Sequence, residues 1–510
     1  MRARNSLYNM LGVLALYCIK IIFAFVGKTC LIRILGDEYN GINALFSSVI
    51  SMLSIAELGI GSAIIYNLYR PVKENNVSEI KSIMRFYKIC YIVIANVVAV
   101  LGIAFIPFLS DFVGKVNISD NIYLLYGLFL LDATASYLLT YKRSILYANQ
   151  KNYVISICDI AYTVLLHVSQ IAVLLITRSF VFYLVSGITC RVLENIIIQK
   201  IADLKYPYLR DKNIDNLPLE IREDIVKKVK GLLFHKIGSY IVYGTDNLII
   251  SKMISVVAEG FYSNYLTIIN PLTNIISQII SAMQASIGNL LVDENKKKNY
   301  QIYKKIALLN FWMYTIASVC FFYLVQDFIT LWLGKEYLFD TFTVCILAIN
   351  IWQTGMRGAL GLFKNAAGIY YEDKYVPLFE SLINLILSIV MAHYFGIAGV
   401  FLGTFISSMV IYFYSFPIIV YKPLFDKGYS VYAREMFRYI IQYIGCYIIS
   451  FIVSRGIENC VLTPYVAFLT KALVIMCASN LLLLIVNYRS EEFKYYRNFF
   501  GQRLLGRKRK

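Results

Sequence analysis

Apolar residues run along this chain in long blocks separated by short polar breaks, without the period-two alternation of a half-buried strand. The blocks lie at about 8–35, 42–69, 84–109, 121–146, 153–177, 180–201, 231–252, 258–291, 303–326, 341–365, 374–395, 398–421, 436–454 and 465–487. A helix needs about 20 apolar residues to cross the hydrocarbon core of a bilayer. Within lipid, a single helix satisfies all its backbone polar groups inside one segment. The pattern predicts an all-α polytopic membrane protein of about fourteen transmembrane helices.

Composition agrees. Of 510 residues, 59% are hydrophobic and 16% charged, with a mean hydropathy of +0.63; soluble domains run at about 45–50% apolar and about 25% charged. The net charge of +18 would suggest nucleic-acid affinity in a soluble protein. Here it resolves into basic loops on one side of a membrane. Loops on the side of the termini carry 38 Lys and Arg, the opposite loops carry five (Lys115, Arg178, Lys252, Lys335 and Arg455), and six lie within spans. Such asymmetry places both termini in the cytoplasm. Arg2 and Arg4 precede an apolar run without a small-residue cleavage site, so the N-terminus reads as a first span, not a signal peptide. The ten Cys form no C-x-x-C pair, and His167, His235 and His393 are scattered, so neither a disulfide framework nor a metal site is expected.

The chain repeats at an offset of 219 to 222. Gly41 pairs with Gly260, Glu74 with Glu294, Gly114-Lys115 with Gly334-Lys335, Lys142 with Lys364, and Tyr153-Val154 with Tyr375-Val376. Residues 1–201 and 231–421 therefore read as two pseudo-symmetric six-helix lobes, followed by two further spans in 422–487 and a basic cytoplasmic tail at 488–510. A parallel repeat of this kind is common in secondary transporters, with the substrate at the interface of the halves. The polar stretch 202–230 joins the lobes. Within it, Ile221, Ile225, Val226, Val229, Leu232 and Leu233 share one helical face opposite Lys227, Lys228 and Lys230, the pattern of an amphipathic helix lying on an anionic leaflet. A solvated approach to the next span reads nearly as well.

The stretch RILGDEYNGINALFSSVISMLSIAELGIGSAIIYNLYR and the loop KENNVSEIKSIM resemble the bacterial polysaccharide-transporter family, the Wzx-type flippases of lipid-linked oligosaccharides in the multidrug/oligosaccharidyl-lipid/polysaccharide (MOP) superfamily. The G-x-E-x-x-G turn at Gly36, Glu38 and Gly41 and the L-G-I-G-S-A step beginning at Leu58 carry the likeness most specifically. The resemblance implies two lobes forming a V around a cavity lined mainly by spans 1, 2, 7 and 8. It implies translocation of an undecaprenyl-pyrophosphate-linked repeat unit from the cytoplasmic to the outer leaflet of the bacterial plasma membrane by alternating access. The product would feed capsule, O-antigen or exopolysaccharide. Implied partners are the lipid-linked substrate, membrane lipids, and the polymerase and glycosyltransferases of the same pathway, with no nucleic acid and no cofactor. Coupling to H+ or Na+ stays open.

Charges within spans are expensive and by default functional. Span 1 holds Lys20, Lys28 and Arg33 with no acid between positions 5 and 36. They suit a wet cavity that receives a pyrophosphate, which Lys and Arg complement by charge; Lys20 and Arg33 could equally snorkel to the interfaces. Arg357, set among Gly355, Gly358 and Gly361, is a further cavity candidate. Glu57 in span 2 and Asp246 in span 7 read equally as ion-coupling groups or as counter-ions for span 1. Arg191 and Glu194, three residues apart on one helix, read as a structural pair. Asp132 reads as structural, and Asp159 and Glu380 as partners of inner-loop Lys or Arg.

No catalytic residues are assigned. Gly27-Lys28-Thr29 imitates the end of a P-loop, but Ile22 stands where the motif needs Gly, and D-x-D, G-x-S-x-G and H-E-x-x-H are absent. Two alternatives to the flippase remain. A drug/cation antiporter of the same superfamily would want an acidic cavity. A membrane polysaccharide polymerase or ligase would want polar residues in large outer loops, and those loops here are short.

Overall fold

The computed structural model describes residues 2–54, 60–137, 140–149, 151–211, 214–215, 217–223, 225–226, 244–292, 295–369, 372–458 and 463–504, with side chains described over most of positions 16–498. Among the described residues the chain is helical throughout, with no strand. In order the helices are α1 (Arg2–Leu35), α2 (Asp37–Leu53), α3 (Ile60–Glu74), α4 (Val77–Phe105), α5 (Leu109–Val113), α6 (Ile122–Tyr137), α7 (Arg143–Ala148), α8 (Asn152–Thr177) and α9 (Phe180–Lys205). They continue with α10 (described over 244–253), α11 (Val256–Ser281), α12 (Gln284–Val292), α13 (Lys296–Trp332), α14 (Thr341–Ala367), α15 (Val376–Ser407), a π-helical stretch Ile411–Tyr421 that runs into α16 (Lys422–Phe425), then α17 (Tyr429–Glu458), α18 (Pro464–Asn487) and α19 (Glu491–Leu504).

Nine helical stretches among the described residues are long and apolar enough to cross a membrane. Four more expected spans fall on α1, on α2 and α3, on α10 and on α14. The last is concealed in the 50-residue stretch Val376–Phe425, which is not one rod. Gly396 adopts φ +58 within α15, a left-handed conformation that glycine takes without Cβ strain. The chain turns back there, so that Ser388 Oγ donates to Val400 O (3.0 Å) and Asn384 Nδ2 to Thr404 Oγ1 (3.0 Å). A Cβ at Gly403 would lie 2.4 Å from Ser388 Oγ. This is the tight hairpin of spans 11 and 12, and the multi-pass architecture read from the apolar blocks holds.

The chain forms two compact units, Met1–Ser263 and Asn264–Lys510. In the first, α2 places Ile42, Leu45, Phe46 and Val49 on one face at helical spacing, and all four are fully buried. Phe46 meets Tyr126 and Phe129 edge-on at 5.4 and 5.6 Å. In the second, Tyr303, Phe363, Tyr421 and Phe425 form an aromatic nest, with Tyr303 stacked on Phe425 at 4.8 Å. The outer surface is apolar as well: on α4, Val93, Val97, Val100 and Ile103 are exposed. An apolar exterior around a core tied by polar contacts suits lipid, where helix association depends on close packing and hydrogen bonds. Ser318 Oγ to Ala348 O (2.7 Å) and Trp352 Nε1 to Thr315 Oγ1 (3.0 Å) are such bonds.

Two polar segments make contacts of their own. Of the proposed leaflet helix, residues 219–223 and 225–226 are helical, yet Ile225 is buried and Ile221 packs on the core of the first unit. Ile221 and Ile225 thus rest on protein while Val226 stays exposed; Val229, Lys227, Lys228 and Lys230 lie outside the described residues. The basic tail is also ordered into α19. Lys304 pairs with Glu492 (2.8 Å), Tyr496 Oη donates to Lys305 O (3.0 Å), and Phe493 stacks on Trp312.

Asp340 caps α14, accepting from the Thr343 amide (3.0 Å) and hydroxyl (2.5 Å). Burial alone would raise its carboxyl, but those bonds and the amide of Phe342 outweigh it and hold the group below the usual carboxylate range. A depressed carboxyl stabilises the fold above its unfolded pKa of about 3.9 and loses that contribution as pH falls through the folded value. Asp340→Ala should therefore cost about 1 kcal/mol at neutral pH. The difference from wild type should shrink below about pH 4. Thermal unfolding in detergent at both pH values checks this; a penalty that grows on acidification contradicts the cap.

Candidate functional site

Span 1 is the natural starting point, because it carries cations without a local acid. On α1 the side chain of Lys28 is half-buried, and its Nζ donates to Ser263 Oγ at 2.5 Å. Ser263 Oγ in turn donates to Gly260 O (2.8 Å), which also accepts from Asn40 Nδ2 (2.9 Å). A polar thread thus runs from α1 through the start of α11 to the start of α2. Beside it lies Glu259, fully buried, with neither carboxylate oxygen hydrogen-bonded among the described residues. Lys28 and Glu259 act on one another through space, and Glu259 is also in Coulombic reach of Asp246 on α10. Asp246 is buried, on a helix anchored by Asn247 Nδ2 to Ser48 Oγ (2.8 Å) and Ser251 Oγ to Phe112 O (2.8 Å).

Close approach makes this arrangement fit. Gly41 and Gly260, equivalent positions of the internal repeat, lie against one another: a Cβ at Gly260 would sit 2.9 Å from Gly41 N, and one at Gly41 would sit 2.2 Å from Val256 O. Asn40 and Glu259, each one residue earlier, are both fully buried.

Other expected site residues lie elsewhere. Lys20 is exposed beside Arg143, Asp159 and Glu194, and Arg33 is exposed at the end of α1. The three cations of span 1 therefore do not converge: about 12 Å of helix rise separates Lys20 from Lys28. Arg357 binds Glu380 (2.5 Å) inside the second unit, with its guanidinium 6.0 Å from the Tyr412 ring centroid. Glu380 thus takes a partner from within a span and not from an inner loop. The intrahelical pair expected of Arg191 and Glu194 is replaced by contacts between helices: Arg191 reaches Asp132 (2.6 Å) and Glu194 reaches Arg143 (2.8 Å). Three-residue spacing puts both side chains on one face of α9, but long side chains close shorter bonds across to facing helices. Asp159 binds Arg143 (2.9 Å), an inner-loop arginine as expected. Glu57 lies outside the described residues. Lys142 and Lys364, repeat equivalents, each close an ion pair in their own unit, with Asp203 (2.6 Å) and Asp373 respectively.

Sequence reasoning missed Glu259 and Ser263. Glu259 opens α11 and reads as an outer-turn residue, and only the crossing of α2 and α11 buries it. Its place one residue before a repeat-equivalent glycine was the available signal.

Solved structures share this fold. A lipid II flippase MurJ in an inward closed conformation superposes with a TM-score of 0.69 at 13% identity, covering 94% of this chain and 99% of its own. An inward-facing multidrug resistance MATE family transporter of the MOP superfamily gives 0.55 at 14% identity over 78% of this chain and 91% of its own. An outward-facing multidrug resistance MATE family transporter of the MOP superfamily gives 0.54 at 14% identity over 80% of this chain and 92% of its own. At these identities the likeness concerns the fold alone. Among curated protein sequences none matches this chain. The family model described as "Polysaccharide biosynthesis protein" matches residues 30–339, more than half of the sequence, and the chain belongs to that family.

Proposed function

We propose that this protein is a flippase that carries an undecaprenyl-pyrophosphate-linked oligosaccharide from the cytoplasmic to the outer leaflet by alternating access. In this reading it sits in the bacterial plasma membrane with both termini in the cytoplasm, and feeds a capsule, O-antigen or exopolysaccharide pathway. The observation that carries the reading is Lys28, an ammonium inside an apolar span held by a neutral serine and faced by a carboxylate that binds no donor among the described residues. Such a carboxylate is a displaceable counter-ion. An arriving pyrophosphate offers Lys28 two phosphates and stronger charge-assisted bonds than the serine. Family membership and the transporter fold support the same reading. No catalytic step is required, and any coupling to H+ or Na+ falls to the buried carboxyl groups Glu259 and Asp246.

The test is flipping of a fluorescent undecaprenyl-pyrophosphate oligosaccharide in proteoliposomes. Wild type should flip it and Lys28→Ala should do so at least about tenfold more slowly, a loss of about 1.4 kcal/mol; Lys28→Arg, which keeps the charge, should recover much of the rate. Equal rates for wild type and Lys28→Ala remove Lys28 from the mechanism. No flipping of any pyrophosphate-linked sugar, together with efflux of an organic cation, would make the protein a drug/cation antiporter.

A further inference from the structure

The ion pairs of the first unit enclose space. A cleft of about 260 Å³ opens between α1, α6, α7, α8 and α9, walled by Lys20, Tyr137, Arg143, Asp159, Tyr162 and Asn195. Tyr162 and Arg191 separate it from a second cavity of about 130 Å³ that reaches Asp132, Gln170 and Tyr183. Every one of these residues belongs to Met1–Ser263.

The charges around the two spaces balance. Lys20, Arg143 and Arg191 stand against Asp132, Asp159 and Glu194, and both arginines are already bound to carboxylates: Arg143 to Asp159 and Glu194, Arg191 to Asp132. With Asp132, which binds Arg191 from the side of the second cavity, the two spaces together carry no net charge and give little advantage to an anion or a cation. It is nonetheless dense in directional groups. Each carboxylate keeps acceptor lone pairs beyond the one it spends on an arginine, and Arg143 Nε is buried with no acceptor among the described residues. Tyr162 adds a flat aromatic wall, with the Arg191 guanidinium 5.6 Å from its ring centroid. Planar carboxylate and guanidinium groups beside an aromatic face complement one chemical class well. That class is a ring with hydroxyls around its rim and C–H bonds on its faces.

We propose that this cleft is a saccharide subsite that holds one uncharged sugar ring, with Tyr162 against the ring face and the Arg143–Asp159–Glu194 array on its hydroxyls. The assignment rests on the flippase reading for the source of the sugar, the oligosaccharide headgroup, but not for the binding itself. It makes charge-paired groups inside a span part of substrate selection. It also separates two tasks within one unit: Lys28 takes the pyrophosphate, and the cleft reads the sugar.

The test needs no transport. Saturation-transfer NMR on the purified full chain in detergent would use millimolar methyl glucoside, methyl N-acetylglucosaminide and methyl glucuronide as probes. The neutral glycosides should receive saturation and the glucuronide several-fold less. Tyr162→Ala should lower the neutral signal at least fivefold, whereas Tyr162→Phe, which keeps the ring, should retain it. Ser136→Phe fills the cleft without removing an ion-pair member and should give the same loss, which serves if Tyr162→Ala fails to fold. Lys28→Ala should keep the sugar signal even where flipping is lost, so the subsite and the transport reading fail separately. No saturation of any glycoside, glucuronide as strong as the neutral sugars, or an unchanged signal in both Tyr162→Ala and Ser136→Phe would overturn the proposal.

Discussion

Replacing Arg143 by methionine is expected to destabilise the first unit by about 3 kcal/mol, because it strands two acids at once. The guanidinium binds Asp159 at 2.9 Å and Glu194 at 2.8 Å, and the Glu194 side chain is only 6% exposed. Removing one partner of a buried pair costs about 3–5 kcal/mol, since the remaining charge is left without compensation; the water admitted by the adjoining cleft favours the lower end. Apolar replacement of the whole group should behave differently. A triple variant, Arg143→Met with Asp159→Leu and Glu194→Leu, should recover most of the loss, as whole-network replacements do. Thermal unfolding of the detergent-solubilised protein, followed by monodispersity on size exclusion, reads both. A single variant as stable as wild type would mean that the acids are neutral or hydrated without Arg143. A triple variant no better than the single one would show that packing, and not charge, sets the cost.

The second large effect is at Gly41. A valine there should destabilise the crossing of α2 with α11 by about 2–3 kcal/mol, the range for overpacking a close contact. The nearest atoms to its new Cβ would be the Val256 carbonyl oxygen and carbon, at 2.2 and 2.7 Å. Those are backbone atoms, which cannot rotate aside as a side chain would. Gly27→Ala is the matched control on α1, where the nearest atom, His167 Nδ1, lies 3.2 Å away on a side chain able to shift. Gly41→Val should lower the unfolding temperature by several degrees and Gly27→Ala by far less. Equal stability of the two variants would mean that the helices separate at little cost.

Much of the architecture was legible because a membrane imposes a strong local signal. A span must be apolar along its length, so each block could be read without knowing its neighbours. The hairpin at Gly396 shows this well: hardly a residue separates the two antiparallel helices, yet the apolar blocks already divide them at 374–395 and 398–421. The chemistry was less legible. Lys28 stood out as a cation with no local acid, but its partners, Ser263 and Glu259, lie more than 230 positions away. The pair proposed for Arg191 and Glu194 failed for the related reason that helical spacing defines a shared face and not the partner opposite it.

The sequence by itself determined the helices, their membrane character, the internal repeat and the family likeness, all properties set by neighbouring residues or by a repeated pattern. Only the tertiary structure decided which charges meet. It set Gly41 against Gly260, buried Glu259, and divided Asp132, Asp159 and Glu194 between Arg143 and Arg191. Charge pairing acts over a few ångströms and depends on which helix faces meet, and that is fixed by packing between segments far apart in the chain.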